Sequence, residues 1–174
     1  QAKQERLRKR LADLKDNQAR PSVEVYLKAS EWVARYNEFW HADSVKWTLT
    51  SLDQGLKRAD DLKTGKPWWL EPSTKSNTRA YRSRVDGSVQ PYAVTFPADY
   101  GKVSGKPYRL DLVLHGRDST LTEVKFLNAH NGTKDAPKER DFVQIDIYGR
   151  GNNAYRWAGE EDVFEALQHV LDTE

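Results

Sequence analysis

The sequence contains no cysteine and no methionine. Without cysteine, the chain can form neither disulfides nor thiolate metal sites. A complete chain should begin with methionine, so we interpret the first residue as a processing or ordering boundary, and no signal peptide is visible. No apolar run approaches the roughly 18 residues that a membrane-spanning helix needs. The net charge of +2 is too small to indicate a nucleic-acid partner.

What the chain does have is core material for one ordinary domain. Of its 174 residues, 37% are hydrophobic and 11% aromatic, and six are tryptophan. This composition argues against disorder. The pattern of apolar residues changes once along the chain, so we expect two structural parts with a connector between them.

The first part, residues 1–64, predicts a helical extension. Apolar residues recur at helical spacing over 1–16, over 21–40 and from about 43 onward. The following stretch, 65–78, is rich in Gly, Pro, Ser, Thr and Lys and is typical of a connector.

The second part, residues 79–174, predicts an α/β arrangement. Two strand-like runs, 79–85 and 89–96, are joined by Asp86-Gly87-Ser88, which is a good hairpin turn. Pro91 lies in the second run, which favours an edge position for that strand. A third apolar strand covers 110–114.

Two helices and one further strand follow. We expect a helix over 120–129 with Asp118 or Ser119 as its cap, a loop over 131–140, a strand over 142–148 and an amphipathic helix over 160–171. Strands that alternate with helices indicate a parallel sheet, here led by an antiparallel pair.

The sharpest local motif is an apolar strand that runs straight into His115-Gly116-Arg117. An oxyanion hole needs such a turn, because a main-chain N–H must point at the negative charge that develops in a tetrahedral intermediate. One such donor contributes about 3 kcal/mol in the transition state. By itself the motif also fits a strand that simply ends in a turn. His115 is in addition a candidate for substrate contact.

Several stretches together resemble one family. They are Tyr81–Tyr92, Pro97–Tyr100, Leu110–Arg117, Tyr148–Asn153 and Trp157–Leu167, with Val23–Phe39 in the helical part. These segments resemble exported bacterial esterases and prolyl-oligopeptidase-like hydrolases, which have the α/β-hydrolase fold. The resemblance implies the N-terminal half of that fold over 79–174, an exported protein, and hydrolysis of a small ester or peptide without a metal or cofactor.

The same resemblance also implies what is missing. In this family the catalytic serine sits in G-x-S-x-G, and an acid and a histidine follow it. Neither Gly87-Ser88 nor Val103-Ser104-Gly105 matches that motif. The family pattern places the serine, acid and histidine downstream of residue 174, so no catalytic residue is assigned in this chain. The amides of Gly116 and Arg117 would then supply half of the oxyanion hole.

Polar residues after the strand 142–148 are candidates for substrate positioning. Arg150, Asn152 and Asn153 follow the carboxyl end of a parallel strand, where open α/β sheets bind ligands. Arg150 could clamp a carboxylate. Alternatively, Arg150 forms ion pairs with Glu160 or Asp162 that hold its loop in place. For Trp68 and Trp69 the alternatives are a binding cleft or core packing.

Two other functions remain open. Asp111, Glu123 and Lys125 match the D…E-x-K spacing of magnesium-dependent nucleases. That motif requires Glu123 and Lys125 on a strand beside Asp111, whereas their surroundings fit a helix better. The other alternative is a non-catalytic binding or scaffold fragment whose helices form the interaction surface.

The resemblance carries one physical consequence for the sheet. The family's strand order, 1-2-4-3-5, places the strand 110–114 between strands 4 and 5, and strand 5 is not in this sequence. An apolar parallel strand would be left as an open edge, which is an aggregation site. We therefore expect a partner: the remainder of the hydrolase domain, a second chain, or a dimer that completes the sheet.

Overall fold

The computed structural model describes residues 1–174 apart from the side chain of residue 134. Three helices come first, and a mixed run of strands and helices follows. The elements are α1 (Ala2–Ala12), α2 (Pro21–Arg35), α3 (Ser44–Lys63), a 3-10 turn (Trp68–Leu70), β1 (Lys75–Arg82), β2 (Val89–Thr95), β3 (Leu110–Leu114), α4 (Glu123–Ala129), β4 (Asn131–Asp135), β5 (Val143–Ile147) and α5 (Ala158–Thr173).

The five strands form one open sheet in the order β3-β5-β2-β1-β4. The α/β class is confirmed, but the sheet is mixed. Only β3 and β5 run parallel among the described strands; β2 pairs antiparallel with both β1 and β5. The parallel pair arises because α4 lies in the connection that returns the chain from the end of β3 to the start of β5.

The prediction of a loop over residues 131–140 was wrong for its first half. Asn131–Asp135 forms β4, an edge strand that pairs antiparallel with β1 through a register irregularity between Lys75 and Asn77. Its sequence is polar and contains Gly132, so neither apolar alternation nor β-propensity marks it. The residues of β4 are extended because they form backbone hydrogen bonds with the free edge of β1, not because their own sequence favours a strand.

The edge position inferred from Pro91 was also wrong, because β2 lies between β1 and β5. Pro91 in β2 is paired with Ala80 in β1. The amide of Ala80 donates to the Ser22 hydroxyl and not to β2. The ladder with β5 begins only at Tyr92. The missing N–H of proline therefore removes no bond from either ladder, and a central strand tolerates it here.

Helix α4 is shorter than predicted. It begins at Glu123, and its cap is Thr122, whose hydroxyl accepts from the amide of Lys125 at 3.3 Å. Asp118, the predicted cap, accepts instead from the amide and hydroxyl of Thr120 in the preceding turn. The predicted amphipathic helix over 160–171 is α5, and two of its large apolar side chains, Phe164 and Leu171, are exposed.

The helical segment and the sheet share one hydrophobic core. Its members come from α1, α2 and α3 as well as from β1, β2 and α4. Helix α3 approaches its neighbours so closely at Gly55 that a Cβ there would lie 2.8 Å from both Leu7 Cδ2 and Tyr26 Cβ. The three helices therefore pack as a layer on the sheet.

The connector contributes to this core. Trp69 is fully buried, and the guanidinium carbon of Arg58 lies 4.9 Å from its ring centroid. Arg58 in turn donates to the carbonyls of Ser22 and Thr78, at 3.2 and 2.7 Å. Of the two alternatives for the tryptophan pair, core packing describes Trp69. No helix that the structure describes has both the length and the apolar character to cross a membrane.

Candidate functional site

The carboxyl ends of the parallel strands β3 and β5 meet at one edge of the sheet. Leu114 pairs with Ile147 at the last position of both strands. The chain then enters two loops, residues 115–122 after β3 and 148–157 after β5. Open α/β sheets bind ligands at this edge, and every residue predicted for the oxyanion turn and for substrate positioning lies in one of these two loops.

His115 has a polar group of the protein against its amide and against each of its two ring nitrogens. Its amide donates to the Tyr155 hydroxyl at 2.8 Å. Its ring nitrogens lie 2.9 Å from carbonyl oxygens, Nδ1 from that of Gly116 and Nε2 from that of Tyr148. A neutral imidazole can donate to one of these carbonyls and a protonated ring to both. The side chain therefore joins the two loops rather than pointing into solvent.

Asn152 joins the same two loops three residues further along. Its side-chain oxygen accepts from the amide of Asp118 at 3.1 Å, and its side-chain nitrogen donates to the carbonyl of Asp118 at 2.7 Å. The Asp118 carboxylate is held by Lys125 at 2.5 Å. Hydrogen bonds from Lys125 and Thr120 lower the pKa of Asp118 to about 2. The turn after β3 is thus fixed at both of its ends.

Between these two fixed points lie two free amides. Among the described residues, neither the N–H of Gly116 nor the N–H of Arg117 has a hydrogen-bond acceptor. Both residues are exposed. A Cβ built on Gly116 would meet no atom within 4 Å, so open space lies beside this backbone. Successive backbone N–H groups that face an open space can bind an anion.

Arg150 bonds to the protein on two sides. Its guanidinium contacts Asp162 through Nε at 3.1 Å and Asp86 through Nη1 at 2.5 Å, and Nη2 donates to the Ser83 hydroxyl at 3.0 Å. Salt bridges with both carboxylates raise the pKa of Arg150 against the opposing effect of burial. The ion-paired alternative therefore describes Arg150, with Asp162 as one partner and Asp86 as a second that the sequence did not indicate.

The loop that carries these residues has an unusual backbone. Arg150, Ala154, Tyr155 and Trp157 all have positive φ, between 52° and 61°. Each such non-glycine residue costs about 1 kcal/mol or more. Asn153 stabilises the bend, because its side chain donates to the carbonyl of Gly149 and accepts from the amide of Tyr155. Strain of this kind persists only where surrounding contacts hold the backbone.

Tyr155 is the site residue that the sequence reasoning missed. Its hydroxyl accepts from the amide of His115 and donates to the carbonyl of Ile147, both at 2.8 Å. Burial raises the pKa of Tyr155 to about 12, so the hydroxyl keeps its proton at neutral pH. The sequence gives no signal for this contact, because the loop that places the Tyr155 hydroxyl beside His115 is bent by several residues with positive φ.

A small cleft of about 190 Å³ adjoins the turn on the α4 side of β3. It is bounded by Val113 and His115 on one side and by Leu121, Phe126 and Ala129 on another. Ile147 adds a further apolar side chain, and Asp118, Lys125, His130 and Asp146 add polar or charged ones, so half of the lining residues are apolar and half are polar or charged.

The nuclease motif does not come together. Glu123 and Lys125 lie on α4, not on a strand. Asp111 pairs with Arg109 at 2.8 Å, and Glu123 is buried against Lys28 at 2.8 Å. Within the part of the chain that the structure describes, no three His, Cys, Asp or Glu side chains are grouped to hold a metal ion.

Comparison with known proteins adds no relative. No protein-family model matches this sequence, and the searches of curated proteins and of solved structures gave no match.

Proposed function

We propose that this chain is the N-terminal portion of an α/β-hydrolase-type serine hydrolase that transfers an acyl group from a small ester or peptide to water. The observation that carries the proposal is the pair of free, exposed amides at Gly116 and Arg117. They follow an apolar parallel strand directly and are flanked by amides that are already bonded.

The chemistry assigned to this turn is electrostatic. When a serine oxygen attacks the substrate carbonyl, the carbonyl oxygen gains negative charge. A fixed N–H that faces this oxygen stabilises it by about 3 kcal/mol, because it is already oriented when the charge develops. The second donor of such a hole comes from the residue after the nucleophile. Serine, acid, histidine and that second donor would all lie downstream of residue 174.

The order of the strands supports the proposal. With β4 left aside, the sheet reads β1-β2-β5-β3, and β2 runs opposite to its neighbours. Numbered as the resemblance numbers them, these are strands 1-2-4-3. The next strand of that order would lie beside β3, whose outer edge has no partner among the described strands.

The exposed side chains of β3 agree with a missing neighbour. Leu112 and Val113 are each 38% exposed and Leu114 is 50% exposed. An apolar strand with one free row of N–H and C=O groups is a template for pairing. We propose that the remainder of the hydrolase domain covers this edge in the complete gene product.

The test combines serine labelling with backbone variants. The longer gene product should react with a fluorophosphonate probe at one serine in G-x-S-x-G. Arg117→Pro deletes the amide N–H and should lower kcat about 100-fold, whereas the matched variant Arg117→Ala keeps the N–H and should stay close to the parent. The absence of a reactive serine, or equal effects of Pro and Ala, would contradict the proposal.

A second candidate function is a non-catalytic interaction module. The observation in its favour is a set of exposed large apolar side chains on α2, on α3 and in the loop between them: Trp32, Tyr36, Phe39, Trp40, Val45 and Leu49. Exposed apolar residues concentrated in one region mark interaction surfaces. This candidate predicts that the longer gene product contains no G-x-S-x-G motif and no serine that the probe labels.

A further inference from the structure

Tyr155 bridges the ends of the two parallel strands with a single oxygen atom. The hydroxyl accepts the His115 amide that follows β3 and donates to the Ile147 carbonyl at the end of β5. It thereby uses its donor and an acceptor position together. The ring also lies against the His115 imidazole, with centroids 5.1 Å apart.

The loop is shaped to place this ring. Ala154 and Tyr155 take consecutive positive φ values of 57° and 52°, which turn the chain back toward the strand ends. A Cβ on Gly149 would lie 2.4 Å from Cε1 of Tyr155. The space that the ring occupies therefore requires glycine at position 149.

Tyr155 is connected to the free amide of Arg117 through His115 and the peptide group between Gly116 and Arg117. The His115 Nδ1 atom lies 2.9 Å from the carbonyl oxygen of Gly116. That carbonyl and the N–H of Arg117 belong to the same planar peptide group, so holding one fixes the direction of the other. Tyr155 holds His115 by its amide and by its ring, and His115 holds this peptide plane when its Nδ1 carries the proton and donates to the Gly116 carbonyl.

We infer that Tyr155 is a positioning residue for the oxyanion turn, an inference that rests on the proposed function. It fixes the orientation of the Arg117 N–H without touching the substrate. An N–H that is oriented in advance stabilises the charge of the transition state more than it stabilises the neutral substrate. Loss of the Tyr155 hydroxyl therefore lowers kcat and leaves KM nearly unchanged.

The experiment uses the longer gene product and Tyr155→Phe, which removes one oxygen and keeps the ring. We expect kcat to fall about tenfold or more, with KM nearly unchanged. Tyr108→Phe is the matched control, because its hydroxyl also donates to one carbonyl, that of Asp99 at 2.8 Å, but at the opposite end of β3. It should lose similar stability and keep its kcat.

A second variant displaces the ring and keeps the hydroxyl. Gly149→Ala places a methyl group where the ring lies, so it should also lower kcat more than it changes KM, even if Tyr155→Phe folds poorly. One outcome would overturn the role of Tyr155 and leave the proposed function standing. In it, the parent protein reacts with the fluorophosphonate probe and hydrolyses its substrate, and both Tyr155→Phe and Gly149→Ala keep the parent's kcat. A parent without a reactive serine overturns both.

Discussion

Arg150 and Asp162 form an ion pair 3.1 Å long between the loop after β5 and helix α5, and the Asp162 side chain is only 1% exposed. The same guanidinium reaches Asp86 in the turn between β1 and β2. One arginine therefore fastens the loop that carries Tyr155 to two other parts of the fold. Burial raises the pKa of the Asp162 carboxyl, and Arg150 opposes that effect.

We predict that Arg150→Met destabilises the protein by about 3 kcal/mol, because it leaves a buried carboxylate without its counter-ion. Urea unfolding measures the loss. Arg156→Met is the control, since Arg156 is exposed in the same loop and should change stability by no more than about 0.5 kcal/mol. Equal losses in the two variants would show that Arg150 does not hold the loop.

The second prediction concerns the contact between the helical segment and α4. The Lys28 ammonium lies 2.8 Å from the Glu123 carboxylate, and both side chains are largely buried. Lys28 also donates to the carbonyl of Val89. Burial raises the pKa of Glu123, and Lys28 partly offsets this effect. Lys28→Met should therefore cost about 3 kcal/mol at pH 8.

This loss should shrink as the pH falls. Because the pKa of Glu123 is raised in the folded state, the folded state binds the proton more tightly, and stability is lost as pH rises through that folded pKa. Without Lys28 the pKa of Glu123 is raised further, so the loss of stability with rising pH becomes larger. Urea unfolding at pH 5 and pH 8 measures it. Lys125→Met, which breaks the partly exposed pair with Asp118, should cost less than about 1 kcal/mol. A loss for Lys28→Met that does not depend on pH would contradict this account.

A third prediction concerns the open edge at β3. We expect the 174-residue chain to self-associate through this strand, because its outer N–H and C=O groups and its apolar side chains are uncovered. Val113→Lys should increase the monomer fraction, and the new ammonium would lie beside Asp146, the partner of Val113 in β5. Light scattering across a range of concentrations measures the effect.

Val103→Lys serves as the control, because Val103 is 57% exposed in a loop away from the edge strand. It should leave the association unchanged. A monodisperse, cooperatively folding monomer of the parent chain would rule out the expected edge pairing.

The fourth prediction concerns alkaline pH. Burial raises the pKa of Tyr92, which is fully buried, and likewise those of Tyr81 and Tyr148. Their protonated state stabilises the fold fully below the usual tyrosine pKa of about 10, and this stability is lost as the pH rises toward their higher folded values. Unfolding free energy should therefore fall steeply above about pH 10.

Tyr92→Phe tests this slope. The variant removes one titrating group, so the loss of unfolding free energy should become shallower by about 1.4 kcal/mol per pH unit. Tyrosinate absorbance followed during unfolding should show the buried hydroxyls ionising together with loss of structure. A slope that is identical to that of the parent would mean that Tyr92 ionises without unfolding.

Local patterns in the sequence were sufficient for most of the fold. Apolar residues at helical spacing identified α1, α2 and α3, and short apolar runs between turn residues identified β2, β3 and β5. For β1 they identified only the second half, because residues 75–78 were predicted to belong to the connector and the predicted strand ran on to residue 85. Such patterns depend only on the residues within one element. Helix α1 buries Leu7 and Leu11 from the stripe that its pattern defines, whereas β3 leaves Leu112, Val113 and Leu114 exposed. The turn at His115-Gly116-Arg117 was found for the same reason, since a strand followed by glycine is a local signal.

Only the tertiary structure decided the rest. β4 is a strand because β1 offers it an edge, and Pro91 lies in a central strand because the ladder with β5 starts one residue later. The contacts of the site residues also depend on the tertiary structure. Arg150 contacts Asp86, which lies 64 residues earlier in the chain, and Tyr155 contacts His115, which lies 40 residues earlier. Contacts at such separations exist only after the sheet has brought these loops and the turn between β1 and β2 close together, so no spacing in the sequence can encode them.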